Sequence, residues 1–123
     1  MDTEHEDNLE QSFNSFVVTE NIMVEMRDGT RLATDIYSPD TDDPHSLRTF
    51  PCLLQRTPYG KSSGERADEA EFFAKHGYVV VIQDCRGRYD SEGGFTKYTD
   101  EGEDGYDVLA WIERQSWSNG RVG

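Results

Sequence analysis

Apolar side chains run without a break through Tyr78, Val79, Val80, Val81 and Ile82, and four of the five are β-branched. A strand with one solvated face alternates apolar and polar residues. This one does not, so both of its faces are expected to be buried, as in the central strand of a parallel sheet covered by helices. The run gives way to Asp84, Arg86, Arg88, Asp90, Ser91 and Glu92, interrupted by Gly87, Gly93 and Gly94. Open α/β sheets bind ligands at the carboxyl ends of such strands. This charged, glycine-rich loop is therefore the first candidate edge of a site.

The rest of the pattern surrounds that strand. Val18, Ile22, Val24 and Met26 predict a strand, stopped by Arg27-Asp28-Gly29-Thr30, a hairpin signal. Leu32, Thr34, Ile36 and Tyr37 form the return strand, closed by Ser38-Pro39. Beyond a polar loop containing Pro44, Cys52, Leu53 and Leu54 begin a third strand, and Pro58 and Gly60 force a turn after it. Ala67, Ala70, Phe73 and Ala74 recur at spacings of three and four, predicting a helix over 67–76 that Gly77 ends. Tyr106, Leu109, Ala110 and Ile112 predict a second helix, with Glu101, Glu103 and Asp104 complementing its positive N-terminal end. Trp117-Ser118-Asn119-Gly120 ends it, and Arg121-Val122 reads as the first step of a further strand. The expected fold class is α/β: a mixed sheet with an antiparallel N-terminal hairpin, then parallel βαβα. Residues 1–15 are expected to be an acidic disordered tail and 16–123 to fold as one unit.

Composition changes this picture in one respect. Asp and Glu number 25 against 12 Lys and Arg, a net charge of −13. Such a balance excludes nucleic acid and anionic membrane surfaces as natural partners. It fits a highly soluble protein. Nine Arg to three Lys also fits a high-salt cytoplasm, and a plain acidic protein is the alternative. No apolar run approaches the roughly 18 residues of a membrane span. The N-terminus has no apolar signal core, so the expected compartment is the cytoplasm. Cys52 and Cys85 are then buried free thiols. No metal or other cofactor is implied.

Candidate chemistry is sparse. A literal Gly-x-Ser-x-Gly occurs at 60–64, with Asp68 and His76 following in triad order. Both partners, however, fall on one predicted helix eight residues apart, roughly 12 Å along its axis at 1.5 Å per residue. A triad needs its acid and histidine within about 3 Å. Ser62 is therefore rejected as a nucleophile. His76 is read as a helix-end residue, His5 and His45 as members of polar segments, and Trp111 and Trp117 as packing. Asp84, Arg86 and Arg88 are weak candidates for a substrate-pocket edge, with loop bracing through charge-assisted hydrogen bonds the stronger reading.

Four segments together resemble a known family: MVEMRDGTRLATDIY at 23–37, RTPYGK at 56–61, GYVVVIQDCRGRY at 77–89 and WSNGRVG at 117–123. They are similar to the N-terminal part of the X-prolyl dipeptidyl peptidase-like serine hydrolases, the group that includes cocaine esterase and α-amino acid ester hydrolases. The resemblance covers residues 16–123 in order and implies part of an α/β-hydrolase fold. It also implies that the nucleophilic serine follows residue 123 and that the triad Asp and His lie further on, so the chain alone is expected to be inactive. The implied reaction is acyl transfer to water from a small-molecule ester, amide or X-Pro peptide. One functional position carries over: Tyr59, whose hydroxyl would donate to the oxyanion. The alternative is a catalytically silent interaction module, needing a second chain or self-associating through an exposed sheet edge.

Overall fold

The computed structural model describes residues 13–43, 46–94 and 101–123. The acidic segment 1–12, with His5, and His45 lie outside the described residues. In chain order the elements are β1 (Phe16–Glu25), β2 (Arg31–Pro39), β3 (Phe50–Thr57), α1 (Gly64–Lys75), β4 (Val79–Asp84), α2 (Glu101–Glu113) and β5 (Ser118–Val122). The five strands form one sheet in the order β1-β2-β4-β3-β5. β1 and β2 are an antiparallel hairpin, β2 is antiparallel to β4, and β3 runs parallel to both β4 and β5. This is the expected mixed α/β sheet, and it stays open at both edges.

The hairpin turn forms where Asp28-Gly29 sits. Gly29 has φ +85°, which a side chain would resist, and the Asp28 carboxylate accepts the Thr30 N–H at 3.0 Å. The β1–β2 pairing slips between Thr19 and Ile22, where Asn21 adopts φ 53°. Its N–H, freed from the ladder, donates to the Asp35 carboxylate at 3.0 Å.

β4 lies between β2 and β3, and all six of its residues are buried. Its side chains alternate between two cores. Val79 and Val81 join Val24, Leu32, Phe50, Val108 and Ile112 on the face covered by α2. Val80 and Ile82 join Tyr37, Ala70 and Ala74 on the face covered by α1. The uninterrupted apolar run is thus the sequence of a strand sandwiched between helices. Cys52 and Cys85 are buried free thiols. No described helix is long and apolar enough to cross a membrane.

Three expectations need correction in detail. α1 begins at Gly64, three residues before its first apolar position. Polar first turns carry no periodic signal, and here the Ser63 carbonyl accepts the Ala67 N–H at 3.0 Å. On α2 the buried positions are Asp104, Val108 and Ile112, spaced by four, while Tyr106 is 68% and Leu109 39% exposed. The aromatic ring of Tyr106 lies instead beside the Arg27 guanidinium, 5.9 Å from its centre. β5 begins at Ser118, so the Ser-Asn-Gly read as a turn is already strand. At the other end, Phe13 packs edge-on against Phe50 with ring centres 5.9 Å apart, and its N–H donates to the Lys75 carbonyl at 2.7 Å.

Because Ile82 is enclosed by α1 and its neighbouring strands, Ile82→Ala should cost about 2–5 kcal/mol. Leu47, 94% exposed, should tolerate the same change within about 0.5 kcal/mol. Urea unfolding midpoints of the two variants measure this contrast.

Candidate active site

β3 and β4 end side by side, with Thr57 opposite Asp84 in the parallel register. The turn after β3, residues 58–62, therefore faces the turn after β4, residues 85–91. The Cys85 N–H donates to the Thr57 carbonyl at 3.0 Å, and the Arg88 Nε–H donates to the Pro58 carbonyl at 3.0 Å. Between the turns is an open cavity of about 290 Å³ whose lining includes Tyr59, Gly60, Ser62, Asp84, Tyr89 and Asp90.

Tyr59 projects at its mouth with 71% of the residue exposed. Its backbone is held, the Tyr59 N–H donating to Thr57 Oγ1 at 3.0 Å, while no hydrogen bond among the described residues reaches its ring hydroxyl. Gly60 follows at φ +98°, and a Cβ there would lie 3.3 Å from the Tyr89 ring. Lys61 comes next and is 2% exposed, an unusual burial for an ammonium. Its Nζ lies 3.2 Å from Asp90, 3.4 Å from Asp35 and 3.6 Å from Asp84, while its N–H donates to Asp84 Oδ1 at 2.8 Å. Burial alone would pull the Lys61 pKa down. The Asp90 hydrogen bond and the charges of Asp35 and Asp84 outweigh it and hold the pKa above the ordinary lysine value. Ser91 closes the arrangement, its hydroxyl donating to the Asp84 carbonyl at 2.6 Å and accepting the Ala33 N–H at 2.8 Å.

A second charged group lies towards α2. Arg86 forks onto Asp104 at 2.8 and 3.0 Å and onto Asp28 at 2.8 and 3.3 Å, and also donates to Thr30 Oγ1. Arg56 Nε–H donates to Gln83 Oε1 at 2.9 Å, Gln83 donates in turn to Thr34 Oγ1, and Arg56 lies 3.9 Å from Asp104. Of the three candidate pocket-edge residues, then, Asp84 lines the cavity, Arg88 ties its two turns together, and Arg86 spans the hairpin turn and α2. Asp104 is a buried ion-pair partner, in addition to standing near a helix start. Ser62 lines the cavity, but Asp68 is exposed on α1 and the His76 Nδ1–H donates to the Phe72 carbonyl at 2.7 Å. Among the described residues no hydrogen bond joins these three. Nor is any trio of His, Cys, Asp or Glu among them arranged to hold a metal ion.

Residues 28–123 match the family profile of the X-Pro dipeptidyl-peptidases (S15 family). The chain belongs to that family. Cocaine esterase of Rhodococcus sp. (strain MB1 Bresler) is 45% identical over 114 residues, covering 89% of this chain and 19% of the esterase. Among solved structures, an α-amino acid ester hydrolase superposes with a TM-score of 0.70 at 30% identity, over 89% of this chain and 21% of that one. A CocE/NonD family hydrolase from Staphylococcus aureus gives 0.73 at 29% identity, over 88% and 22%. The chain thus spans about a fifth of the length of the relatives it matches. Its sheet is the α/β-hydrolase type that those relatives share.

Within this S15-family chain, pattern reading passed over Lys61, Asp35 and Tyr89, and named Asp90 only as one of the charges in the loop after β4. One signal was available. Asp35 stands between Thr34 and Ile36 in a strand otherwise built for burial, and a lone carboxylate there requires a cation. Tyr89 carries no such signal; that it adopts φ 49° although it is not glycine is seen only in the structure.

The Arg86 hydrogen bonds, with help from the Thr30 N–H, hold the Asp28 carboxyl down at about 2, against 3.8 ordinarily. The unfolded chain therefore takes up this proton first on acidification. The stabilisation is complete above about pH 4 and is lost as pH falls to about 2. Urea unfolding across this window should show Asp28→Asn losing less stability than the wild type. Parallel curves for the two would refute the pairing.

Proposed function

We propose that this chain is the front part of a serine hydrolase that transfers acyl groups to water, with Tyr59 supplying one arm of the oxyanion hole. The carrying observation is the exposed Tyr59 ring at the carboxyl end of β3, on a turn whose backbone is fixed on both sides. A donor helps most where it is preorganised around the charge that develops in the transition state. When a serine Oγ attacks a carbonyl carbon, the C=O π pair moves onto oxygen. A phenol O–H set at that position meets the new charge without reorganising. A turn that follows β3 is also where α/β-hydrolases build one side of this hole.

The nucleophile, its acid and its histidine belong, on this reading, to sequence outside these 123 residues. The substrate class is a small-molecule ester, an amide or an X-Pro peptide. Family membership and the names of the relatives, which include an esterase and an ester hydrolase, support hydrolysis. The competing reading, a silent interaction module, draws on the open sheet, where β1 and β5 are edge strands. It predicts concentration-dependent association without turnover.

In the full-length hydrolase carrying this chain, Tyr59→Phe should lower kcat for a p-nitrophenyl ester by roughly 10²- to 10³-fold with KM little changed. Equal kcat for the two proteins would remove Tyr59 from the oxyanion hole. The 123-residue chain by itself should neither turn over the ester nor take a fluorophosphonate adduct. An adduct on Ser62, located by mass spectrometry, would overturn the assignment.

A further inference from the structure

Among the described residues no hydrogen bond reaches the Tyr59 side chain, so the turn that carries it decides where that side chain stands. The turn that carries it is fastened before the tyrosine by Thr57 Oγ1 and after it by Lys61. The second fastening is far the larger. Asp35 comes from the middle of β2, Asp84 from the last position of β4, and Asp90 from the turn beyond it. One ammonium, two residues from Tyr59, is thus gripped from three separately placed parts of the fold.

The three partners differ in a useful way. The side chains of Lys61, Asp35 and Asp84 are 2%, 3% and 1% exposed, whereas that of Asp90 is 60% exposed. The first three form a buried core for the anchor, while Asp90 reaches it from the cavity side. The Tyr89 ring, one residue before Asp90, stands against Gly60, and Arg66 donates to the Gly60 carbonyl at 3.3 Å. An ordinary surface turn requires none of this. Burying one cation with two carboxylates is costly unless the ion-pair geometry is good and the remaining hydrogen bonds are made.

We infer that Lys61 is a positioning residue for Tyr59: its three-carboxylate anchor fixes the backbone from which the Tyr59 side chain projects at the cavity mouth. The inference rests on the proposed oxyanion role of Tyr59. Lys61 touches no reacting atom and acts only through the tyrosine. It follows that the Asp35–Lys61–Asp84 unit and the Asp90 turn form a single support, so loosening either one moves the same hydroxyl.

A double-mutant cycle in the full-length hydrolase separates this role from general stability. With a p-nitrophenyl ester, Lys61→Met should lower kcat by roughly 10- to 100-fold at near-constant KM, as expected for a displaced catalytic donor. In a Tyr59→Phe background the same change should cost less than about twofold, because the group it positions is gone. Lys61→Arg, which retains the charge, should recover part of kcat. Equal losses with and without Tyr59 would overturn the positioning role while leaving the oxyanion donor intact. Tyr59→Phe without effect on kcat would overturn both. Should Lys61→Met prove unfolded by circular dichroism, Asp90→Asn, which exposes no buried charge, takes its place in the same cycle. It should lower kcat several-fold only when Tyr59 is present, and an unchanged kcat in the Tyr59 background would overturn the inference.

Discussion

The burial of β4 on both faces is the constraint from which the rest follows. Five consecutive apolar residues cannot be hidden by one helix. Val79 and Val81 require a cover on one side, Val80 and Ile82 on the other. Each such side chain contributes roughly 1.5–3 kcal/mol on burial. That demand places α1 and α2 on opposite faces and puts β2 and β3 on either flank of β4. Once β3 and β4 lie parallel and in register, their carboxyl ends must coincide, and so must the turns that follow them. The cavity is a consequence of the core.

Charge then hardens what the core has placed. Apolar burial is non-directional and cannot by itself fix loop geometry. Here the loops at the ends of β3 and β4 are fixed by ionic groups with directional hydrogen bonds. Arg86 joins the β1–β2 turn, the end of β4 and the first turn of α2 through Asp28 and Asp104. Lys61 joins the β3 turn to β2, β4 and the turn beyond β4. The two cations stand on opposite sides of the same strand end. Asp28, Asp35, Asp84, Asp90 and Asp104 are thus ion-pair partners, so part of the acidity is structural.

Much of the fold was legible because its signals are local. Gly29 marks the hairpin turn, the apolar run marks the buried strand, and alanines at spacings of three and four mark α1. What was harder depended on partners distant in sequence. The face that α2 buries includes, besides Val108 and Ile112, Asp104, a carboxylate whose cation, Arg86, lies 18 residues away. Periodicity read from apolar size chose Ile112, which is buried, together with Tyr106 and Leu109, which stand at the surface. Likewise, nothing near Lys61 in sequence reveals that it is buried, since its partners come from positions 35, 84 and 90. The chemistry of the site was legible only through the family pattern. A single tyrosine in a Pro-Tyr-Gly turn carries no catalytic signal of its own. The triad readable at Ser62, Asp68 and His76 fails on helix geometry, and His76 is occupied by the Phe72 carbonyl.

The central claim is that the Tyr59 hydroxyl meets the oxyanion. Its most direct test is a crystal structure of the full-length hydrolase with a phosphonate covalently attached to its nucleophile, the tetrahedral phosphorus standing in for the acyl intermediate. The Tyr59 hydroxyl is expected at about 2.7–3.1 Å from the phosphonyl oxygen, with Lys61 still held by its carboxylates. A phosphonyl oxygen bound by other donors, with the Tyr59 ring turned out to solvent, would contradict it.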